Sequence, residues 1–186
     1  NSWAFLAVFL PATWFGFRIL AKWGTQPSVV AWLLVASLAF YGYWNPPFLL
    51  LLLASIVFNG LWGQLVRGRS RAWLAAGITA NLLVLGVYKY SGFIVNNAAL
   101  VFGTSWQLPA LFLPLGISFF TFQQIAWLVD SARGETQERS PVRYALFVAF
   151  FPQLIAGPIV HHAQLLPQLR DKKLLALDWH NIAIGV

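Results

Sequence analysis

Cysteine and methionine are both absent from this chain, and charge is scarce. Without cysteine there are no disulfides, thiolate metal sites or cysteine nucleophiles within these residues. Without methionine, and with Asn at position 1, the chain is expected to be a piece of something longer at its front. The run from His180 to Val186 reads as the opening of a further apolar helix, so the same is expected at its back. Charged residues make up 9% of the sequence, against roughly 25% in an average soluble domain. No glycine-rich phosphate loop, HExxH pattern, Ser-His-Asp spacing or carboxylate cluster of metal type is present, and no metal ligand is assigned.

What is there is hydrophobic: 59% of residues, with a mean hydropathy of +0.69. The few charges are bunched, leaving Trp23 to Val66 and Tyr90 to Val129 free of Asp, Glu, Lys and Arg. Each run is long enough for two crossings at about 20 residues apiece. The fold class is therefore all-α, a polytopic transmembrane helical protein embedded in a lipid bilayer. A cleaved signal peptide is a poor reading of Trp3 to Phe17, since no basic segment precedes it and further apolar segments follow.

Punctuation divides the apolar mass into about five spans: Trp3 to Ala21, Val29 to Trp44, Phe48 to Val66, Ala72 to Tyr88 and Leu111 to Val129. Asn45-Pro46-Pro47 predicts the turn between the second and third, because two prolines remove two donors and the residue before proline leaves the helical region. Asn96 to Gln107 reads as a mildly polar external loop. Lys and Arg concentrate in cytoplasmic loops. Arg18 and Lys22, then Arg67, Arg69 and Arg71, then Arg133, Arg139 and Arg143 all fall on one side if the N-terminus is extracytoplasmic. A further crossing from Tyr144 to Val160 would strand Arg170, Lys172 and Lys173 outside. With Pro152, Gly157 and Pro158 in the way, the stretch near 144–170 is expected to be broken and re-entrant or interfacial. The excess of basic over acidic residues, 12 against 5, thus reads as orientation and contact with anionic lipid, not nucleic acid. The ten tryptophans, several at span ends, suit an interfacial belt.

Polar residues inside the apolar mass mark the candidate site, since they are costly at membrane depth unless they face protein or water. Ser118, Thr121 and Gln124 lie along one helical stripe, with Gln123 beside it; interhelical hydrogen bonding and the lining of a substrate tunnel both account for them. Asp130 ends that span, where a carboxylate meets the unfavourable end of the helix dipole, so Arg133 or Arg143 is expected to compensate it. Beyond lie Pro152, Gln153, Gly157, Pro158, His161, His162 and Gln168. Histidine can serve as a general base near neutral pH, but two adjacent histidines on a helix point apart, and a structural or headgroup contact is the expected role of His161 and His162. His180 is assigned none.

Leu113-Pro-Leu-Gly-Ile-Ser-Phe-Phe-Thr-Phe-Gln-Gln-Ile125, then Asp130, then Phe150-Phe-Pro-Gln-Leu-Ile-Ala-Gly-Pro-Ile-Val-His-His162 and Leu166-Pro-Gln-Leu169 resemble the membrane-bound O-acyltransferase family, in its alginate O-acetyltransferase-like branch. Ser2 to Leu6, Lys89-Tyr90 and Asp178-Trp179 resemble it too. The resemblance implies that residues 1–186 are the N-terminal part of a single transmembrane domain in a bacterial inner-membrane enzyme. That enzyme would move an acyl group, typically acetyl, from a cytoplasmic donor such as acetyl-CoA, with no bound cofactor. The acceptor would be a cell-surface polysaccharide or a periplasmic acetyltransferase partner. It further implies that the catalytic histidine lies beyond Val186, that this piece alone is inactive, and that Gln123, Gln124, Asp130, Pro152, Gln153, Gly157, Pro158, His161, His162 and Gln168 shape a cytoplasmic funnel. A non-catalytic membrane scaffold and a polysaccharide-export transporter component are the alternatives. The second would favour ionisable residues deep in the spans, and there are almost none.

Overall fold

The computed structural model describes residues 3–44, 46–104, 112–136, 138–156 and 161–175, and among these every regular element is helical. The chain enters through a π-helical turn, Phe5–Phe9, that continues into α1 (Leu10–Trp23). There follow α2 (Gln26–Trp44), α3 (Pro46–Leu65) and α4 (Arg71–Phe102). These four stretches are long and apolar enough to cross a membrane. Few of their residues are buried within the protein, and large side chains such as Trp14, Phe15, Leu50, Val57 and Leu83 face outward. A helix whose outer face is Leu, Val and Phe is at home only in lipid.

The expected fifth span corresponds to α5 (Ile117–Arg133), 17 residues and about 25 Å long at 1.5 Å per residue. It packs between α3, α4 and α6. Ile117, Phe120, Thr121, Gln123, Gln124, Trp127, Leu128, Asp130 and Ser131 are all buried. It is thus the core of the bundle, and its polar residues face protein, not lipid. Left-handed glycines bound it, Gly116 at φ 67° and Gly134 at φ 75°. At Gly134 the backbone N–H closes on the Asp130 and Ser131 carbonyls, a conformation that only glycine adopts without steric cost.

The loop expected from Asn96 is displaced. Helix α4 runs unbroken through Asn96 and Asn97 to Phe102, 32 residues and about 48 Å, well beyond a hydrocarbon core of about 30 Å. The reason is local: Asn97 Nδ2 donates to the Phe93 carbonyl at 2.7 Å, so the amide that suggested a loop is satisfied by its own helix.

The stretch after α5 is broken, as its prolines foretold. It forms α6 (Pro141–Ala149), α7 (Phe151–Ala156) and α8 (His162–Arg170), followed by a 3₁₀ turn, Lys172–Leu175. None of the three approaches the roughly 20 residues a crossing requires. Pro141 and Pro152 sit in the first turns of α6 and α7, where a missing N–H costs nothing. Asn45, Gly157, Pro158, Trp179 and His180, singled out from sequence, lie outside the described residues.

Three long-range contacts gather the basic loops at one end of the bundle. Gln26 Nε2 donates to the carbonyls of Leu169 at 2.6 Å and Asp171 at 3.3 Å. Arg67 Nη2 reaches the hydroxyl of Thr136 at 2.9 Å. Arg170 Nε bonds Glu138 at 3.0 Å. The α1–α2, α3–α4 and α5–α6 junctions and the end of α8 therefore share one face. Lys89 lies beside Ser118, at the opposite end of α5.

Candidate functional site

At the basic end of α5 the helix delivers Asp130 to a corner it shares with α8. His161 caps α8 with extended backbone, ψ 143°, and its Nδ1 accepts from Ala163 N–H at 3.4 Å. His162 is the first helical residue. The helical rule that neighbours diverge does not apply across this junction, so the expectation that the two rings point apart is corrected. Their centroids are 4.3 Å apart. Both rings turn toward one carboxylate oxygen: His161 Nε2 stands 2.9 Å and His162 Nδ1 3.4 Å from Asp130 Oδ2. Neither contact has the alignment of a hydrogen bond, for Asp130 Oδ2 and His162 Nδ1 both lack a hydrogen-bond partner among the described residues.

Asp130 and His162 are buried, each 6% exposed, whereas the His161 side chain is 47% exposed. His162 is walled in by Trp127 and Phe147, edge to face at 5.3 and 6.3 Å. Trp127 in turn packs on Tyr144 at 4.7 Å. Burial, and then the neighbouring His161, push the His162 imidazole below its ordinary pKa, against the opposite pull of Asp130 and Glu135. The shift favours the neutral imidazole.

Neither expected partner pairs with Asp130 among the described residues: Arg133 is exposed, and Arg143 serves Glu138. Glu138 has a side chain only 1% exposed and is the hub of a second cluster. Its Oε1 accepts from the backbone N–H groups of Arg139 (2.9 Å) and Ser140 (2.7 Å) and from Arg143 Nη2 (2.9 Å). Oε2 accepts from Arg143 Nε (2.8 Å) and Arg170 Nε (3.0 Å). Burial alone would raise this carboxyl, but Arg143, the Ser140 amide and Arg170 outweigh it and hold it at about 2. Sequence reasoning passed over Glu138. The available signal was Ser140-Pro141, a helix cap followed by proline at the first helical position, which puts Glu138 just ahead of a helix start rich in unpaired N–H groups.

Further along α5, Gln124 exchanges hydrogen bonds with Ser55 of α3 at 3.1 and 3.3 Å. Gln123 is 2% exposed, and neither its Oε1 nor its Nε2 has a partner among the described residues. One helix away, Asn59 and Asn81 pair reciprocally at 2.7 and 3.0 Å. Gln153 is buried on α7, and Pro152 is exposed. Gln168 is exposed too, and it donates back to its own helix at the Gln164 carbonyl, 3.0 Å away. Of the residues chosen from sequence, the structure brings Asp130, His161 and His162 into one cluster. Beside it a largely apolar cavity of about 360 Å³ opens between α2, α3 and α6, with Leu38, Ile56, Trp127 and Tyr144 in its walls and Glu138 and Arg139 at a polar end. Neither Gln123 nor Gln124 lines that cavity.

Comparison with characterised proteins adds to this geometry. No protein-family profile matches the chain, and no solved structure matches it. A peptidoglycan O-acetyltransferase of Helicobacter pylori is 39% identical across the whole of this chain, which spans 41% of that protein's length. Proteins named "Probable alginate O-acetylase" from Pseudomonas aeruginosa and Pseudomonas putida are 39% and 37% identical over 75% of the chain, covering 29% and 31% of their own lengths. The chain thus spans between a quarter and a half of the relatives it matches. With these relatives, an all-helical fold and four helices fit to cross a membrane, the chain belongs to the membrane-bound O-acyltransferase family, close to its alginate O-acetylase branch.

Proposed function

We propose that the full-length protein transfers acetyl groups from a cytoplasmic donor, acetyl-CoA or a similar thioester, toward hydroxyls of a cell-surface polysaccharide, directly or through an extracytoplasmic acetyltransferase partner. The observation that carries this reading is 39% identity along the entire chain to a protein named as a peptidoglycan O-acetyltransferase. In such a transfer the acceptor oxygen attacks the thioester carbonyl carbon and the C–S bond breaks. The hydroxyl proton passes through a general base to the departing thiolate. That base, a histidine, is proposed to lie outside these residues, in a tunnel shielded from bulk water. Residues 1–186 would form part of the one transmembrane domain and supply scaffold and donor entry, inactive on their own.

Placement follows from charge. The end of the bundle that gathers Arg67, Arg139, Arg143 and Arg170 is proposed to face the cytoplasm, with the N-terminus outside the inner membrane. The donor's polar part would meet this basic face. A scaffold that only recruits a separate acetyltransferase would share every feature of this stretch. Purified full-length protein in proteoliposomes, given radiolabelled acetyl-CoA and an acceptor polysaccharide, separates the two. Label in base-labile ester without a partner, or label that reaches a partner sealed on the opposite face of the membrane only when this protein is present, supports transfer by this protein. A partner that uses acetyl-CoA by itself, with this protein only improving its recruitment, supports the scaffold.

A further inference from the structure

We propose that Asp130, His161 and His162 form a binding site for a divalent transition metal of the zinc class, which pins the start of α8 to the basic end of α5.

The argument begins with an imbalance. Asp130 is a buried carboxylate whose Oδ2 has no hydrogen bond among the described residues. Leaving a buried charge uncompensated is expensive. Of the nearby guanidinium groups, Arg67 is committed to Thr136 and Arg143 and Arg170 to Glu138, while Arg133 is exposed and makes no ion pair with Asp130 among the described residues. In place of a cation, two imidazoles face the carboxylate.

Donor type and geometry match the ion. One carboxylate oxygen and two imidazole nitrogens are the borderline ligands that suit zinc. The three ligand atoms lie within 4.8 Å of one another. A tetrahedral site with bonds of about 2.1 Å needs ligand separations of about 3.4 Å. The Asp130 to His162 distance is already 3.4 Å; the His161 to Asp130 distance of 2.9 Å must lengthen a little, and the two imidazole nitrogens, within 4.8 Å of each other, are brought to the same spacing by side-chain rotation. Rigidity comes from the wall around His162, where Trp127 and Phe147 fix the ring. Access comes from His161, the exposed member, whose side leaves a fourth position open to water or an anionic oxygen.

Binding has a defined proton balance. His161 Nδ1 accepts from Ala163 N–H, which leaves the ring proton to Nε2. On coordination the proton moves to Nδ1, and the long 3.4 Å capping bond is given up for the metal bond. This site is independent of the acetyl-transfer reading, and either can fail without the other.

The test uses full-length protein in nanodiscs, purified without a polyhistidine tag, stripped with chelator and then dialysed against Zn²⁺ alone. Elemental analysis is expected to find one site per chain. Asp130→Asn, His161→Gln and His162→Gln are each expected to weaken it by more than the roughly 10–100-fold that changes outside the ligand set cost. Co²⁺ alone should give the wild type the intense visible bands of a four-coordinate nitrogen and oxygen site. Zinc retention no greater in the wild type than in the triple variant, or single variants that bind as well as the wild type, overturns the proposal. If the variants do not fold, the wild-type Co²⁺ spectrum decides, and a pale, six-coordinate aquo-like spectrum counts against the site.

Discussion

Asp130 Oδ2 stands 2.9 Å from His161 Nε2, joining the end of α5 to the residue that caps α8. Because α8 is only nine residues long, it has little helical stability of its own; this corner ties down its first turn, as Gln26 on the Leu169 carbonyl and Arg170 on Glu138 tie down its last. Asp130→Ala is expected to raise amide exchange across residues 162–170 while leaving α2 and α3 unchanged. Hydrogen-exchange mass spectrometry reads the difference directly.

Close packing around Trp127 predicts a second effect. A Cβ placed on Gly63 would come within 2.6 Å of the Trp127 indole nitrogen, and one on Gly77 would meet Trp62 at 2.6 Å. Neither indole can swing aside without disturbing its neighbours, since Trp127 also packs on Tyr144 and His162. Gly63→Ala and Gly77→Ala should each cost about 1–3 kcal/mol through overpacking. Thermal melting in detergent measures it, and Gly86→Ala, where a Cβ meets nothing within 4 Å, serves as the neutral control.

The Asn59–Asn81 pair is buried between α3 and α4. Truncating either leaves the other's side-chain oxygen without its donor, although each Nδ2 keeps a backbone carbonyl of its own helix, at a cost of about 0.6–2 kcal/mol in a membrane setting. Asn59→Leu with Asn81→Leu should be less harmful than the sum of the single changes. A double-mutant cycle on melting temperature gives the coupling.

Glu138 predicts a pH dependence. Its carboxyl is held at about 2 in the folded chain against an ordinary 4.5. Between those values the unfolded chain binds the proton and the folded chain does not, so stability falls as pH falls through the window. Wild type should exceed Glu138→Gln by a constant margin above about pH 4.5, and the margin should close toward pH 2. Melting both proteins at pH 6 and pH 3 checks the sign.

Membrane orientation predicts reactivity. This stretch has no native cysteine, so single introduced cysteines report cleanly once any elsewhere in the full protein are replaced. Ser70→Cys and Arg139→Cys should react with an impermeant maleimide only after the inner membrane is opened. Thr104→Cys should react without that step. The reverse pattern would invert the topology.

Much of the architecture was legible because lipid leaves a chain few choices. Long charge-free runs marked the spans, and Pro152, Gly157 and Pro158 marked the broken stretch. The stripe of Ser118, Thr121 and Gln124 marked α5 as a helix that faces protein or water, and Thr121 and Gln124 are buried. Less visible was what depends on one residue's local conformation. Asn97 looked like loop because its bond to the Phe93 carbonyl is invisible in sequence. His161 and His162 looked divergent because only the extended backbone of His161 lets both reach Asp130. Glu138 showed only its place just ahead of the Ser140-Pro141 helix start, since its partners Arg143 and Arg170 come from two different helices.

The most direct measurement is the ester-linked acetyl content of the cell-surface polysaccharide in cells lacking the gene, with and without full-length protein supplied in trans. The account predicts that acetylation falls in the deletion strain and returns with the full-length protein. Unchanged acetylation in the deletion strain, with no other acetyltransferase of this family present, would contradict it.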